Sequence, residues 1–259
     1  MRATADTIWR VPVYLSYLQP ALTDEAVAAA EKMIGYKLPE EYLALLGKQN
    51  GGYIRFSLPD DVDDMGHERI AGIGPYFPSL TDFDWEESQE CVSYPLQGLI
   101  PFDGDGHWHL CLDYRKNVHI PAITFADVEC DQEMPVAGSF AEYLTMLRIS
   151  IEEDEYVLKA VPDIEKLKAD LSRELGCSFD PPDAWAHGYL TQRASLGTKG
   201  GPQWLWLSPN TVPCGFVRPD DRRYSDLKDV MPGVGERFPG LPADSYILNV
   251  TDGVKARVL

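Results

Sequence analysis

The sequence has no run of about 18 apolar residues, so it offers no candidate for a membrane-spanning helix. Its opening residues, Met1-Arg2-Ala3-Thr4-Ala5-Asp6, lack the basic patch and apolar stretch of a secretory leader, and a cytoplasmic protein is expected. Cysteine is scarce and scattered: Cys91, Cys111, Cys130, Cys177 and Cys214 are odd in number, widely spaced, and form no Cys-x-x-Cys. That pattern fits scattered buried thiols in a reducing cytosol better than a disulfide framework. No Gly-x-x-x-x-Gly-Lys-Ser/Thr loop and no Gly-x-Ser-x-Gly elbow occurs, which removes familiar routes to nucleotide-dependent and serine-based chemistry.

Basic residues are the other shortage. The chain carries 23 Lys and Arg against 41 Asp and Glu, a net charge of −18 over 259 residues. The imbalance sits mostly in residues 1–150, with 24 acids and 10 bases; residues 151–259 hold 17 and 13. Between positions 57 and 90 there are ten acids and a single Arg or Lys, Arg69. Such a field repels phosphate backbones and anionic membranes and attracts basic proteins. Neither nucleic acid nor a membrane is therefore an expected partner, although acidity of this size equally serves solubility.

What is present reads as two α+β domains, residues 1–150 and a smaller one over 151–259. Thr23 to Ile34 is predicted helical, with Thr23 as cap, Val27, Ala30 and Ile34 on one face, and Gly35 as the stop. A second helix is predicted to start at Pro39, to share Tyr42, Leu45, Leu46 and Gln49 on one face, and to end at Asn50-Gly51-Gly52. Tyr53–Phe56, Leu99–Phe102 and Ala122–Phe125 read as strands. Trp108, Leu110 and Leu112 alternate with His109, Cys111 and Asp113, the pattern of a half-buried strand. Ser139-Phe140-Ala141-Glu142 matches a capping box opening a third helix. The run Glu152-Glu153-Asp154-Glu155 marks the boundary. Beyond it a helix over Asp163–Leu175 and strands near 204–207, 214–217 and 246–250 are expected.

Residues 21–148 resemble the SUKH superfamily, which includes Smi/Knr-type regulators of yeast cell-wall synthesis and many bacterial immunity proteins. The resemblance rests on E-K-M-I-G-Y-K-L-P-E-E-Y-L-A-L-L-G-K-Q-N-G-G over Glu31–Gly52, on L-I-P-F-D-G-D-G-H-W-H-L-C-L-D-Y over Leu99–Tyr114, and on the helix from Ser139 to Leu147. It implies an α+β fold of N-terminal helices, antiparallel sheet and closing helix. It also implies a protein that neutralises a toxin's effector domain, often a nuclease, by binding it. Residues 151–259 resemble no family.

The resemblance gives the acidic stretch a use. Asp60, Asp61, Asp63, Asp64 and Glu68, then Asp82, Asp84, Glu86, Glu87 and Glu90, are interleaved with Tyr76, Phe77, Phe83 and Trp85. Carboxylates speed the encounter with a basic protein, and desolvated rings supply affinity at the centre of a contact. These residues are the candidate partner-binding face, with a basic toxin domain as the expected partner; the alternative is a regulatory or scaffold module without a toxin target. No catalytic residues, cofactor or metal are expected. His107, His109 and Cys111 share a strand face, but side chains two apart lie about 7 Å from each other, too far to converge on one ion. Asp103 and Asp105 read as part of a tight turn, since the remaining ligands of a calcium loop are missing.

Overall fold

The computed structural model describes residues 2–14, 17–59, 66–151, 154–183, 189–197, 202–216 and 233–251. Asp60, Asp61, Asp63 and Asp64, together with Glu152, Glu153 and Val217, lie outside the described residues. The chain divides into two compact units, with the second starting at Ile151.

In the first unit, α1 (Asp24–Ile34) is capped by the Thr23 hydroxyl, which accepts from the Ala26 N–H at 3.2 Å, and stops at Gly35, whose φ of +81° a Cβ would resist. Its inner face is Ala26, Ala30 and Ile34. The second helix, α2 (Glu40–Lys48), starts one residue later than the sequence suggests: Pro39 is its cap, with ψ at 140°, and is not its first helical residue. Tyr42, Leu45 and Leu46 are buried as expected. The extended piece predicted over Tyr53–Phe56 is broken into Gly52–Tyr53, paired with Arg69–Ile70, and Phe56–Ser57, paired with Arg148–Ile149.

The centre of the unit is an antiparallel meander of β1 (Leu99–Gly104), β2 (Trp108–Asp113), β3 (Ala122–Asp127) and β4 (Gln132–Ala137), in that order. The strand β4 was not foreseen. Its first four residues, Gln132-Glu133-Met134-Pro135, are exposed and carry no apolar alternation, and proline in a sheet is confined to edges such as this one. The closing helix α3 (Phe140–Met146) begins at the Ser139 hydroxyl, which accepts from the Glu142 N–H. The Glu142 carboxylate reaches one residue further than a capping box requires and accepts from the Gly138 N–H at 2.7 Å.

The strand β2 is not half-buried; Leu110, Cys111, Leu112 and Asp113 are all buried. One sheet face carries Ile100, Phe102, Leu110, Leu112 and Ile123 into the main core with α2 and α3. The other is roofed by the segment after Asp84: Trp85, Tyr94 and Leu96 cover Leu99, Cys111 and Ala126. An alternating sequence predicts one wet face only if nothing lies over it. Under this roof Asp113 ties strands together at the end of β2, accepting from the Thr124 hydroxyl at 2.9 Å and, through both oxygens, from Arg115, which also reaches Glu133 of β4. Burial pushes the Asp113 carboxyl up, but the Arg115 and Thr124 hydrogen bonds outweigh it and hold it below the ordinary carboxylate value of 3.8. A depressed carboxylate stabilises the fold above its unfolded pKa and loses that contribution as pH falls below it. Asp113→Asn should therefore show a shallower loss of stability than the parent as pH is lowered below about 4 in urea melts.

The second unit packs α4 (Ile164–Leu175) on a four-stranded antiparallel sheet of β5 (Glu155–Leu158), β6 (Gln192–Gly197), β7 (Gln203–Pro209) and β8 (Tyr246–Val250), in the order β5-β8-β7-β6. Asp163 caps the helix at the Lys166 N–H and Gly176 ends it at φ +66°. Leu175, Leu205, Leu207, Leu248 and Val250 form its core. Buried Glu155 is matched by Arg237, which also donates to the Ser208 hydroxyl.

Candidate functional site

A groove of about 820 Å³ opens in the first unit between the loop of residues 77–88, the β1–β2 hairpin and Arg69. The loop supplies Phe77, Asp82, Phe83, Asp84 and Trp85; the hairpin supplies Asp103, Asp105 and His109. Phe83 and Trp85 stand 5.7 Å apart, and Trp85 meets His109 edge-on at 4.9 Å. The indole N–H of Trp85 donates to the Leu99 carbonyl at 2.9 Å, which fixes the ring against β1. Burial among these groups lowers the pKa of His109 despite the nearby Asp105 and Asp103 carboxylates, so a neutral ring lines the wall at pH 7.

The floor is polar and fully knitted. Asp103 accepts from His67 Nδ1 at 2.7 Å, from Arg69 Nε at 3.1 Å, and from the backbone N–H groups of Glu68, Arg69 and Gly104. On its far side His67 Nε2 lies 2.6 Å from the Tyr143 hydroxyl of α3. Because an ionised carboxylate only accepts, the Asp103 contact places a proton on Nδ1. The Arg69 guanidinium also donates to the Gly104 carbonyl and lies 4.8 Å from the centre of the Tyr17 ring. His67 and Tyr143 are buried, so these two fasten β1 and α3 beneath the groove that Asp103 lines.

This arrangement depends on a bulge. Pro101 pairs with Cys111 and Asp103 with Leu110, so Phe102 is an extra residue in β1. It lets Phe102 and Asp103 both turn away from water, one into the main core and the other onto His67. A strand alternation drawn straight through Leu99–Gly104 misses it.

The loop is held from below by two buried amides. Asn50 donates to the carbonyls of Pro20 and Ile73 and accepts from the Ile73 N–H at 2.9 Å. Gln19 donates to the carbonyls of Tyr76 and Pro78 and accepts from the Tyr76 N–H at 3.0 Å. Asn50-Gly51-Gly52 therefore does more than end α2: it is the seam to which residues 18–20 and 71–79 are stitched.

Of the residues singled out in the sequence, Glu68, Asp82, Asp84, Glu86, Glu87 and Glu90 are exposed. Phe77 is 79% exposed, whereas Tyr76, Phe83 and Trp85 are half-buried, the last as part of the roof over the sheet. The loop thus alternates acids outward with rings inward from Asp82 to Glu86. His107, His109 and Cys111 do not converge: His107 turns to Glu129 at 3.2 Å, His109 joins the groove wall, and Cys111 is buried under the roof. Asp105 makes the tight turn, its Oδ1 accepting from the N–H groups of His107 and Trp108. His67, Asp103 and Tyr143 were missed by sequence reasoning. No local pattern marks them, because the contacts that join them span 36 and 76 positions.

Residues 21–146, which are 126 of the 259, match the model of the SMI1/KNR4 family (SUKH-1). No curated protein is significantly similar to the chain. SUKH domains are in general binding modules and not enzymes, and the match supports a module of the immunity or cell-wall-related kind. No described helix is long and apolar enough to cross a membrane. Most of the helix-loop-meander-helix arrangement around the groove falls within the matched residues 21–146, which form a SUKH domain similar to the SMI1/KNR4 family.

Proposed function

We propose that this protein is a cytoplasmic immunity protein that binds a cognate, basic toxin domain through the acidic face of its SUKH domain. The observation that carries this reading is the outward row Asp82, Asp84, Glu86, Glu87 and Glu90, set beside an aromatic-walled groove. A toxin acting on nucleic acid needs a basic cleft for phosphates, and such a cleft is attracted to this row. Neutralisation is stoichiometric: the acidic face occludes the cleft, and no chemical step is required.

The test is co-purification with a candidate toxin domain sought among the neighbouring genes, together with rescue of that toxin's lethality on co-expression. Reversing Asp82, Asp84, Glu86 and Glu87 to lysine should weaken binding by about tenfold or more at low salt and flatten its salt dependence. Undiminished binding by the reversed variant, with the same salt slope, overturns the acidic-face reading. Robust cell-wall phenotypes on deletion, with no toxin bound, would favour a regulatory module instead.

A further inference from the structure

We infer that the groove is a seat for one arginine side chain of the partner, and that Phe77 beside it is a preset apolar knob; this rests on the protein-binding reading above. Three observations carry the assignment. The first is charge. Asp82, Asp84 and Asp105 line the groove as exposed carboxylates, while the fourth, Asp103, is matched by Arg69, which is itself the groove's only lining Arg or Lys among the described residues. The lining therefore has three carboxylates in excess and calls for a cation. Asp82 and Asp84 each spend one carboxylate oxygen on a local backbone N–H, of Ser79 at 2.8 Å and Glu86 at 2.9 Å, and neither side chain makes another hydrogen bond among the described residues.

The second is shape. The walls are flat rings, Phe83 and Trp85, with the neutral His109 edge-on to the indole. A guanidinium is planar, stacks on such faces and forks onto carboxylates, whereas an ammonium offers a compact and strongly hydrated charge. Arginine is the better match to walls and rim together.

The third is preorganisation. Phe77 is 79% exposed, yet the backbone on both sides of it is clamped by Gln19, a side chain that is itself buried. An aromatic held in position gives up little freedom on binding, which is where interface hot spots gain their strength. The knob and the seat are neighbours in one groove lining, so a partner loop with an arginine next to an apolar hollow engages both.

The seat is tested on the full chain without any partner. The probe is the blocked peptide acetyl-Gly-Arg-Gly-Arg-amide, compared with the same peptide carrying citrulline for arginine. Binding is followed by the indole N–H resonance of Trp85, assigned with Trp85→Phe. The arginine peptide should shift that resonance, and the citrulline peptide, which keeps the shape but not the charge, should bind about tenfold more weakly or worse. Asp82→Asn with Asp84→Asn keeps the local acceptors and should weaken the arginine peptide by about tenfold. Glu165→Gln with Glu174→Gln, the same charge change on α4, should alter it by about twofold or less. Equal weakening by the two double variants, or equal binding of the two peptides, overturns the seat. Because no toxin is present, a failed seat and a failed immunity assignment are read separately.

Discussion

Replacing Asp103 by alanine should lower the stability of the first unit by about 3–5 kcal/mol, the usual consequence of removing one member of a buried ion pair. The carboxylate accepts from His67, from Arg69 and from three backbone N–H groups. Alanine leaves all of these without their acceptor in a place water reaches poorly, and the cost of stranded donors exceeds the worth of the bonds themselves. Asp103→Asn keeps an acceptor and the shape but not the charge, and should fall between the parent and alanine. Urea unfolding followed by tryptophan fluorescence checks both, with the two units fitted as separate transitions. At roughly 2–4 °C per kcal/mol for a unit of this size, the alanine variant should also melt on the order of 10 °C lower. A loss under about 1 kcal/mol would mean that the network is not what fastens the groove floor.

Gly51→Ala should cost about 2–4 kcal/mol, and the reason is geometric twice over. Gly51 has φ of +89°, and a Cβ there would lie 2.6 Å from the Gly72 nitrogen and 2.8 Å from the Tyr17 carbonyl oxygen. Those are backbone atoms, so relief requires the seam between α2 and the loop of residues 71–79 to open. Gly47→Ala is the matched control. It lies on the exposed face of α2 with nothing within 4 Å of its added Cβ, and should stabilise by about 0.5–1 kcal/mol through helix propensity. Opposite signs for two glycines four residues apart separate seam geometry from a general effect of adding a methyl group. Circular dichroism melts of the two variants read it directly.

Local chemistry made much of this fold legible. Thr23 and Gly35 bound α1, Ser139 opens α3 and Gly176 closes α4 through capping atoms that the sequence displays in order. The pairing of distant residues was not legible. His67, Asp103 and Tyr143 are separated by 36 and 40 positions, and only the bulge at Phe102 turns Asp103 inward to join them. Cys111 and Asp113 fall on the second face of a strand that reads as half-buried, because nothing in their own strand reveals that Trp85, Tyr94 and Leu96 roof that face. The acidic face was legible as composition; the groove beside it was not, since its walls come from two segments some twenty residues apart in sequence that meet only in three dimensions. Nor does Asn-Gly-Gly disclose from sequence that it is a stitch for another loop as well as a helix terminator.

The edge strand β4 has a bearing on how the protein behaves in a crowded cell. An open sheet edge invites strands from other chains, and β4 is one of the two edges of the four-stranded meander. Here the edge displays Glu133, already engaged by Arg115, and Pro135, which has no N–H to offer. Copies of the chain therefore meet a poor template for strand pairing along that margin, even where they are concentrated.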